Sequence, residues 1–176
     1  GADPQRPSFV VLAVDVSAQV NEASSLRQQS EHDALTGVYN RRRIEQFERE
    51  QPAETAWGVV AIDLDGFKQI NDTYGHERGD EVLIAFARFL LARTRAGDAV
   101  VRMGGDEFAI LMREADAQRV SALLARLDVD RAQAPCAYSL GSALRDGAEP
   151  LAETLTRADR EMYARRAVSR AAATPA

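Results

Sequence analysis

Two short apolar runs, Asp98-Ala-Val-Val-Arg102 and Phe108-Ala-Ile-Leu-Met112, are separated only by Met103-Gly-Gly-Asp-Glu107. Each run reads as a strand, and so short a connection makes the middle a hairpin turn. The chain is therefore expected to fold around an antiparallel pair whose turn carries Gly104, Gly105, Asp106 and Glu107. With no Cβ, the glycines let a ligand come close to the backbone. The acids put negative charge where a phosphate would come, which is consistent only if a cation lies between. An ordinary Gly-Gly turn with solvated acids fits these residues equally well.

The flanking sequence extends the hairpin into a domain. Residues 33–40 read as a loop, with Asn40 as the cap of a helix over residues 41–50 whose Ile44 and Phe47 face inward. Trp57 to Leu64 (WGVVAIDL) reads as a buried strand. Phe67 to Tyr74 reads as a short helix ended by Gly75. Gly79 to Arg95 is a long amphipathic helix, with Val82, Leu83, Phe86, Phe89 and Leu90 at helical spacing. After the hairpin come a helix over 117–127, a strand over 137–143 and a helix from Leu151 to about Arg170. The order αβααββαβα mixes long-range strand pairing with a hairpin. It predicts an α/β sandwich with a mainly antiparallel central sheet flanked by helices.

The ends read differently. Residues 1–18 contain the Val-rich strand Ser8–Val16, which needs a partner because a lone strand is not stable in water. Residues 19–32 read as a polar linker helix with a narrow stripe that includes Val20, Ala23 and Leu26. It is either a solvated connector or a helix that pairs in a dimer. Residues 171–176 are an Ala-rich tail. The chain opens Gly-Ala-Asp-Pro without an initiating Met, as expected of an excised piece of a longer protein. A formal net charge of -5 argues against a general nucleic-acid or anionic-membrane binder. The single Cys136 excludes an internal disulfide framework and a Cys-rich zinc site. The longest apolar run, Phe9–Val14, is too short to span a bilayer, and no signal-peptide pattern is visible.

Several side chains carry possible chemistry. Asp63 ends an apolar strand, where a carboxylate is held rigidly and partly desolvated; that suits a metal ligand or a plain strand-end turn. Asp63-Leu-Asp65-Gly66 resembles the start of an EF-hand loop, but Phe67 stands where an oxygen ligand is needed and Lys68 where Gly is required. The backbone N–H groups from Gly66 to Lys68 open a helix and form a natural phosphate cradle, to which Lys68 adds a cation. Asn71 and Asp80 together match a guanine edge, with Asp72 and His76 nearby; capping by Asn71 and Asp80 and a structural His76 fit as well. Arg166 and Arg170, four residues apart, share a helix face that could reach a triphosphate or simply suit the helix dipole.

Together these pieces resemble the GGDEF domain of the diguanylate cyclase family over residues 33–170. The resemblance rests on Asp33-x-Leu-Thr-Gly-x-x-Asn-Arg-Arg42, Asp63-x-Asp-x-Phe-Lys-x-Ile-Asn-Asp-x-x-Gly-His-x-x-Gly-Asp80, Arg102-x-Gly-Gly-Asp-Glu-Phe108, Ser139-x-Gly141 and Ala158-Asp159-x-x-Met-Tyr163. It implies a sheet related to the nucleotide cyclase and polymerase palm. It also implies a cytoplasmic homodimeric enzyme of bacterial second-messenger signalling that condenses two GTP into cyclic di-GMP and two pyrophosphates. By resemblance, Asp63, Asp106, Glu107 and the Leu64 carbonyl hold Mg²⁺, with Mn²⁺ as a substitute. Asp106, Glu107 and Lys68 are catalytic; Phe67 and Lys68 amides hold phosphates; Asn71 and Asp80 read guanine beside His76; Gly104 and Gly105 lie against the nucleotide; Arg166 and Arg170 clamp the triphosphate.

Arg95-Ala-Gly-Asp98 falls at the family's inhibitory RxxD position, where the resemblance implies product binding, with Arg126 of a neighbouring subunit as a second contact. Helix-end roles for Arg95 and Asp98 are the bland alternative. The family's usual Tyr-x-Ala-Lys-x-x-Gly-Arg ending is here Tyr163-Ala-Arg165-Arg166-Ala-Val-Ser169-Arg170, a departure at the phosphate clamp and helix end. The strand and linker ahead of residue 33 resemble the tail of a PAS-like sensor. A catalytically silent module that binds GTP or cyclic di-GMP is the alternative function, and a plain protein-interaction domain a third.

Overall fold

The computed structural model describes residues 31–51 and 54–173, with side chains to residue 168. The expected strand Ser8–Val16 and the linker helix up to residue 30 lie outside the described residues. The elements are β1 (Tyr39–Asn40), α1 (Arg42–Glu50), β2 (Trp57–Leu64), α2 (Phe67–Tyr74), α3 (His76–Leu91), β3 (Ala99–Gly104), β4 (Glu107–Arg113), α4 (Ala117–Val129), a 3-10 turn (Arg131–Gln133), β5 (Tyr138–Leu144) and α5 (Leu151–Ala173).

The five strands form one sheet in the order β1-β3-β4-β2-β5. The β3–β4, β4–β2 and β2–β5 pairs are antiparallel, but β1 lies parallel to β3. The sheet is therefore mixed, which corrects the expectation of a mainly antiparallel one. The physical reason is β1 itself. Two residues carry no periodic signal, and their parallel partner arrives only after the chain has passed through α1, β2, α2 and α3.

Strand parity divides the core. Val60, Ile62 and Leu64 of β2, with Phe108, Ile110 and Met112 of β4, pack against α3 and α4. Trp57, Val59 and Ala61, with Leu111, pack against Phe47 of α1 and Leu151, Ala158 and Met162 of α5. Helices thus cover both faces, which is why β2 reads as an unbroken apolar run. Asp63 keeps the parity of Trp57, Val59 and Ala61, so it belongs to the α1–α5 face. On the opposite face Phe86 meets Phe89, Phe108 and Tyr138 at centroid distances of 5.7, 5.4 and 5.3 Å. Each such aromatic contributes about 1.5–3 kcal/mol by burial. The hydroxyl of buried Tyr138 donates to the Leu127 carbonyl at 2.8 Å, so it leaves no unsatisfied group.

Several boundaries differ from the expectations. The long helix starts at His76, because Gly75 (φ +85°) breaks the chain from α2, and it ends at Leu91 rather than Arg95. Asn40 lies in β1, and Arg41 precedes the helix; the Asn40 side-chain oxygen still accepts from the Arg42 amide at 2.9 Å. The last helix runs on to Ala173. It can lie directly on β5 because Gly141 has no side chain; a Cβ there would collide with the backbone of Ala158 and Met162. Among the described residues, no helix is long and apolar enough to cross a membrane.

Candidate active site

The end of β2 and the β3–β4 turn bring the acids together. Asp63 lies opposite Glu107 in the β2–β4 register, and the Leu64 amide donates to the Asp106 carbonyl at 3.3 Å. Gly105 is in the left-handed region (φ +51°), and a Cβ on Gly104 or Gly105 would meet nothing within 4 Å. The turn is thus open to solvent above its backbone. A staple that the sequence reading did not find holds it. Arg102 donates to the Gly105 carbonyl at 2.8 and 3.0 Å and to Asp33 at 3.1 and 3.3 Å. Asp33 also accepts from the Thr36 amide and hydroxyl.

Burial raises the Asp63 carboxyl above its ordinary value; Arg166 opposes this, and the neighbouring charges of Asp106 and Asp65 add to it. Partial desolvation also raises Glu107, followed by the carboxylates of Asp159, Asp63 and Asp106. These acids feel one another, and their mutual repulsion is what a bound cation relieves. Arg166 reaches into the group from α5. Its Nη1 donates to Asp63 at 2.6 Å, and its Nη2 lies 2.8 Å from Asp65. Asp65 accepts from the Ser139 hydroxyl. The roles of Asp65 and Ser139 were missed, although the i, i+2 spacing of Asp63 and Asp65 was a signal that both face one side. An open groove of about 630 Å³ adjoins Arg166, lined also by Asp65, Arg131, Ser139 and Arg165.

Three residues past Leu64, α2 begins at Phe67. Gly66 (φ +72°) precedes it, and no side chain caps it, so its first-turn amides at Phe67 and Lys68 are available to an anion. Lys68 is exposed, and its neighbour Phe67 is buried. The Asn71 Oδ1 atom is buried with no hydrogen-bond partner. It lies against Gly79, where a Cβ would collide with it. Gly79, which the sequence places at a helix start and within the family motif, thus leaves the space that the Asn71 amide occupies. Asp80 follows Gly79, and His76 opens α3; both are exposed. The Arg170 side chain lies outside the described residues.

A second cluster sits elsewhere. Arg95, Asp98 and Arg126 line one small cavity with Arg93 and Arg119. Arg126 belongs to the same chain as Arg95, so this grouping forms without a neighbour. The Asp98 side chain is only 4% exposed and pairs with Arg119 at 3.4 Å. Arg126 donates to the Arg93 carbonyl at 2.8 Å, and Arg95 is exposed.

The acidic group is an all-oxygen donor set, which suits Mg²⁺ or Mn²⁺. Among the described residues, no three His, Cys, Asp or Glu side chains are arranged as a ready metal cage. Mg²⁺ is commonly bound by one or two carboxylates plus phosphate oxygens, and the turn beside these acids is open at Gly104 and Gly105.

Known proteins of one family match most of the chain. The family description "Diguanylate cyclase, GGDEF domain" matches residues 30–171. The chain is similar to diguanylate cyclase DgcM of Escherichia coli K12, at 35% identity over 168 residues, covering 88% of this chain and 40% of DgcM. It thus spans about two fifths of that relative's length. Among solved structures it resembles diguanylate cyclase SiaD of Pseudomonas aeruginosa, in complex with its activator SiaC. That match has a TM-score of 0.72 and 31% identity, and covers 86% of this chain and 64% of that one. It also resembles the coiled coil and GGDEF domain of DgcB from Caulobacter crescentus in complex with c-di-GMP. There the TM-score is 0.75 and the identity 25%, over 86% of this chain and 88% of that one.

Proposed function

The chain belongs to the GGDEF family of diguanylate cyclases, and on that premise we propose that it condenses two GTP molecules into cyclic di-GMP with release of two pyrophosphates. One observation carries the reading: Asp63 lies opposite Glu107 across β2 and β4, Leu64 bonds the Asp106 backbone beside them, and the uncapped first turn of α2 begins just beyond. Asp63 and Asp106, with Glu107 beside them and the Leu64 carbonyl, would hold Mg²⁺ or Mn²⁺ once a substrate phosphate completes the set. When bound, the ion polarises the α-phosphate and lowers the pKa of the ribose 3′-hydroxyl.

The chain's own residues do the rest. The Phe67 and Lys68 amides hold phosphates, and the Lys68 ammonium stabilises charge developing on the leaving pyrophosphate. Arg166 and Arg170 clamp the triphosphate, the first as a fork rather than the point charge of a lysine. Asn71 and Asp80 read the guanine edge, His76 lines the same region, and the bare backbone at Gly104 and Gly105 lets the nucleotide lie on the turn. In each half-reaction the 3′-oxygen of one GTP bonds to the α-phosphorus of the other. The bond to pyrophosphate breaks, and the 3′-proton passes to Asp106, with Glu107 beside it. Each copy holds one GTP, so two copies must face each other as a homodimer. Cyclic di-GMP binds at Arg95, Asp98 and Arg126 and restrains that dimer. GTP supply implies action in the cytoplasm.

The test is steady-state formation of cyclic di-GMP from GTP and Mg²⁺ by the purified chain, read by chromatography. Product is expected from the dimer. A dimer that binds GTP and makes no product would support the silent binding module instead. Absence of GTP binding would point to an interaction domain.

A further inference from the structure

Arg166 bridges two carboxylates that are held in different ways. Nη1 donates to Asp63 at 2.6 Å and Nη2 lies 2.8 Å from Asp65. Asp63 belongs to the acidic group at the end of β2. Asp65 is pinned to the start of β5: its amide donates to the Ala137 carbonyl at 2.9 Å, and its carboxylate accepts from Ser139 Oγ at 3.0 and 3.1 Å. The Arg166 Nε is buried and has no hydrogen-bond partner, in a side chain that is 17% exposed. A planar fork anchored by one arm can give up the other partner without leaving the site, which the point charge of a lysine cannot do as well.

We propose that Asp65, seated by Ser139, is a positioning residue that retains Arg166 at the site when a divalent cation takes Asp63. The retained guanidinium then turns its freed Nη1 and its unpartnered Nε towards the triphosphate. This inference rests on Asp63 being a metal ligand. It makes Arg166 a competitor of the metal for Asp63, and Asp65 the group that moderates the competition. Without Asp65, both arms of Arg166 fall back on Asp63.

The test is binding of Mn²⁺ alone to the purified chain without nucleotide, read by loss of the free-ion electron paramagnetic resonance signal. Arg166→Gln should bind Mn²⁺ about tenfold more tightly, the scale on which outer partners of metal ligands act. Asp65→Asn should bind it several-fold more weakly. The double variant should match Arg166→Gln within about twofold, because Asp65 acts only through Arg166. Equal weakening by Asp65→Asn in both backgrounds would mean that Asp65 acts through its own charge, and would overturn the proposal. Ser139→Ala changes no charge and should also weaken Mn²⁺ binding in the wild-type background; unchanged affinity there overturns the seating. Asp63→Asn should remove the binding. If it binds Mn²⁺ like wild type, the metal assignment itself fails, a result distinct from a cycle that is merely additive.

Discussion

Replacing Gly79 by alanine tests whether Asn71 reads the base. The new Cβ would strike Asn71 Oδ1, with Asn71 Cγ at 3.0 Å and Phe67 Cζ at 3.2 Å. The obstructed atoms are side-chain ends, so the backbone of α3 can stay where it is. The helix also gains about 1 kcal/mol from the Gly→Ala exchange, which offsets the adjustment at Phe67. Net stability should therefore change by less than about 1 kcal/mol, roughly 2–4 °C in Tm for a domain of this size. The Asn71 amide, however, has to move. Losing one hydrogen bond to the base costs about 1–2 kcal/mol, or about five- to thirtyfold in KM for GTP. Steady-state kinetics in GTP beside thermal melting separate the two effects. The expected result is a raised KM at a nearly unchanged Tm, with Asn71→Ala adding nothing further in the Gly79→Ala background. An unchanged KM would refute the assignment of Asn71 to guanine.

Gly141→Ala forces a Cβ into the α5 backbone at Ala158 and Met162. It should cost about 2–3 kcal/mol, because backbone cannot yield as a side chain does, and calorimetry should show Tm lowered by about 5–10 °C. At Asp33, burial alone would raise the carboxyl, but hydrogen bonds from Thr36 and Arg102 outweigh it and hold the group below its ordinary value. A depressed folded-state value stabilises above the unfolded value and is lost as pH falls through the folded one. Asp33→Asn should thus be destabilised at pH 7, and the gap to wild type, measured by urea denaturation, should close as pH falls below the ordinary carboxylate value; a gap unchanged in acid would contradict the Arg102 staple. Arg95→Ala should raise the cyclic di-GMP concentration needed for half-inhibition by about tenfold, the loss of one charge-assisted contact. Identical inhibition curves would make Arg95 structural.

The helices and the four longer strands were legible because each is decided by local pattern. β2 is continuous and apolar because both its faces are covered, and α3 shows its stripe at Val82, Phe86 and Phe89. β1 was not legible, since two residues paired in parallel with β3 carry no period of their own. That omission also hid the mixed character of the sheet. At the site, Asp63, Asp106 and Glu107 could be picked out by their place at strand ends. Their neighbours could not. Arg166 meets Asp63 from 103 residues away, and Arg102 meets Asp33 across 69. Such pairs are settled by the docking of α5 on β5 and of the first loop on the hairpin, not by spacing. The role of Gly79 was not legible for a related reason: its value lies in the space it leaves for Asn71, which only tertiary packing reveals.

The hairpin acid remains the decisive residue. Asp106→Asn keeps the size of the side chain and the Leu64–Asp106 backbone bond while removing one negative donor. With GTP and Mg²⁺, cyclic di-GMP formation should fall by more than about a hundredfold, the scale of losing a principal charge-stabilising group, at an unchanged melting temperature. Cyclic di-GMP made by Asp106→Asn at the wild-type rate would contradict the reading of this site as a metal-dependent cyclase centre.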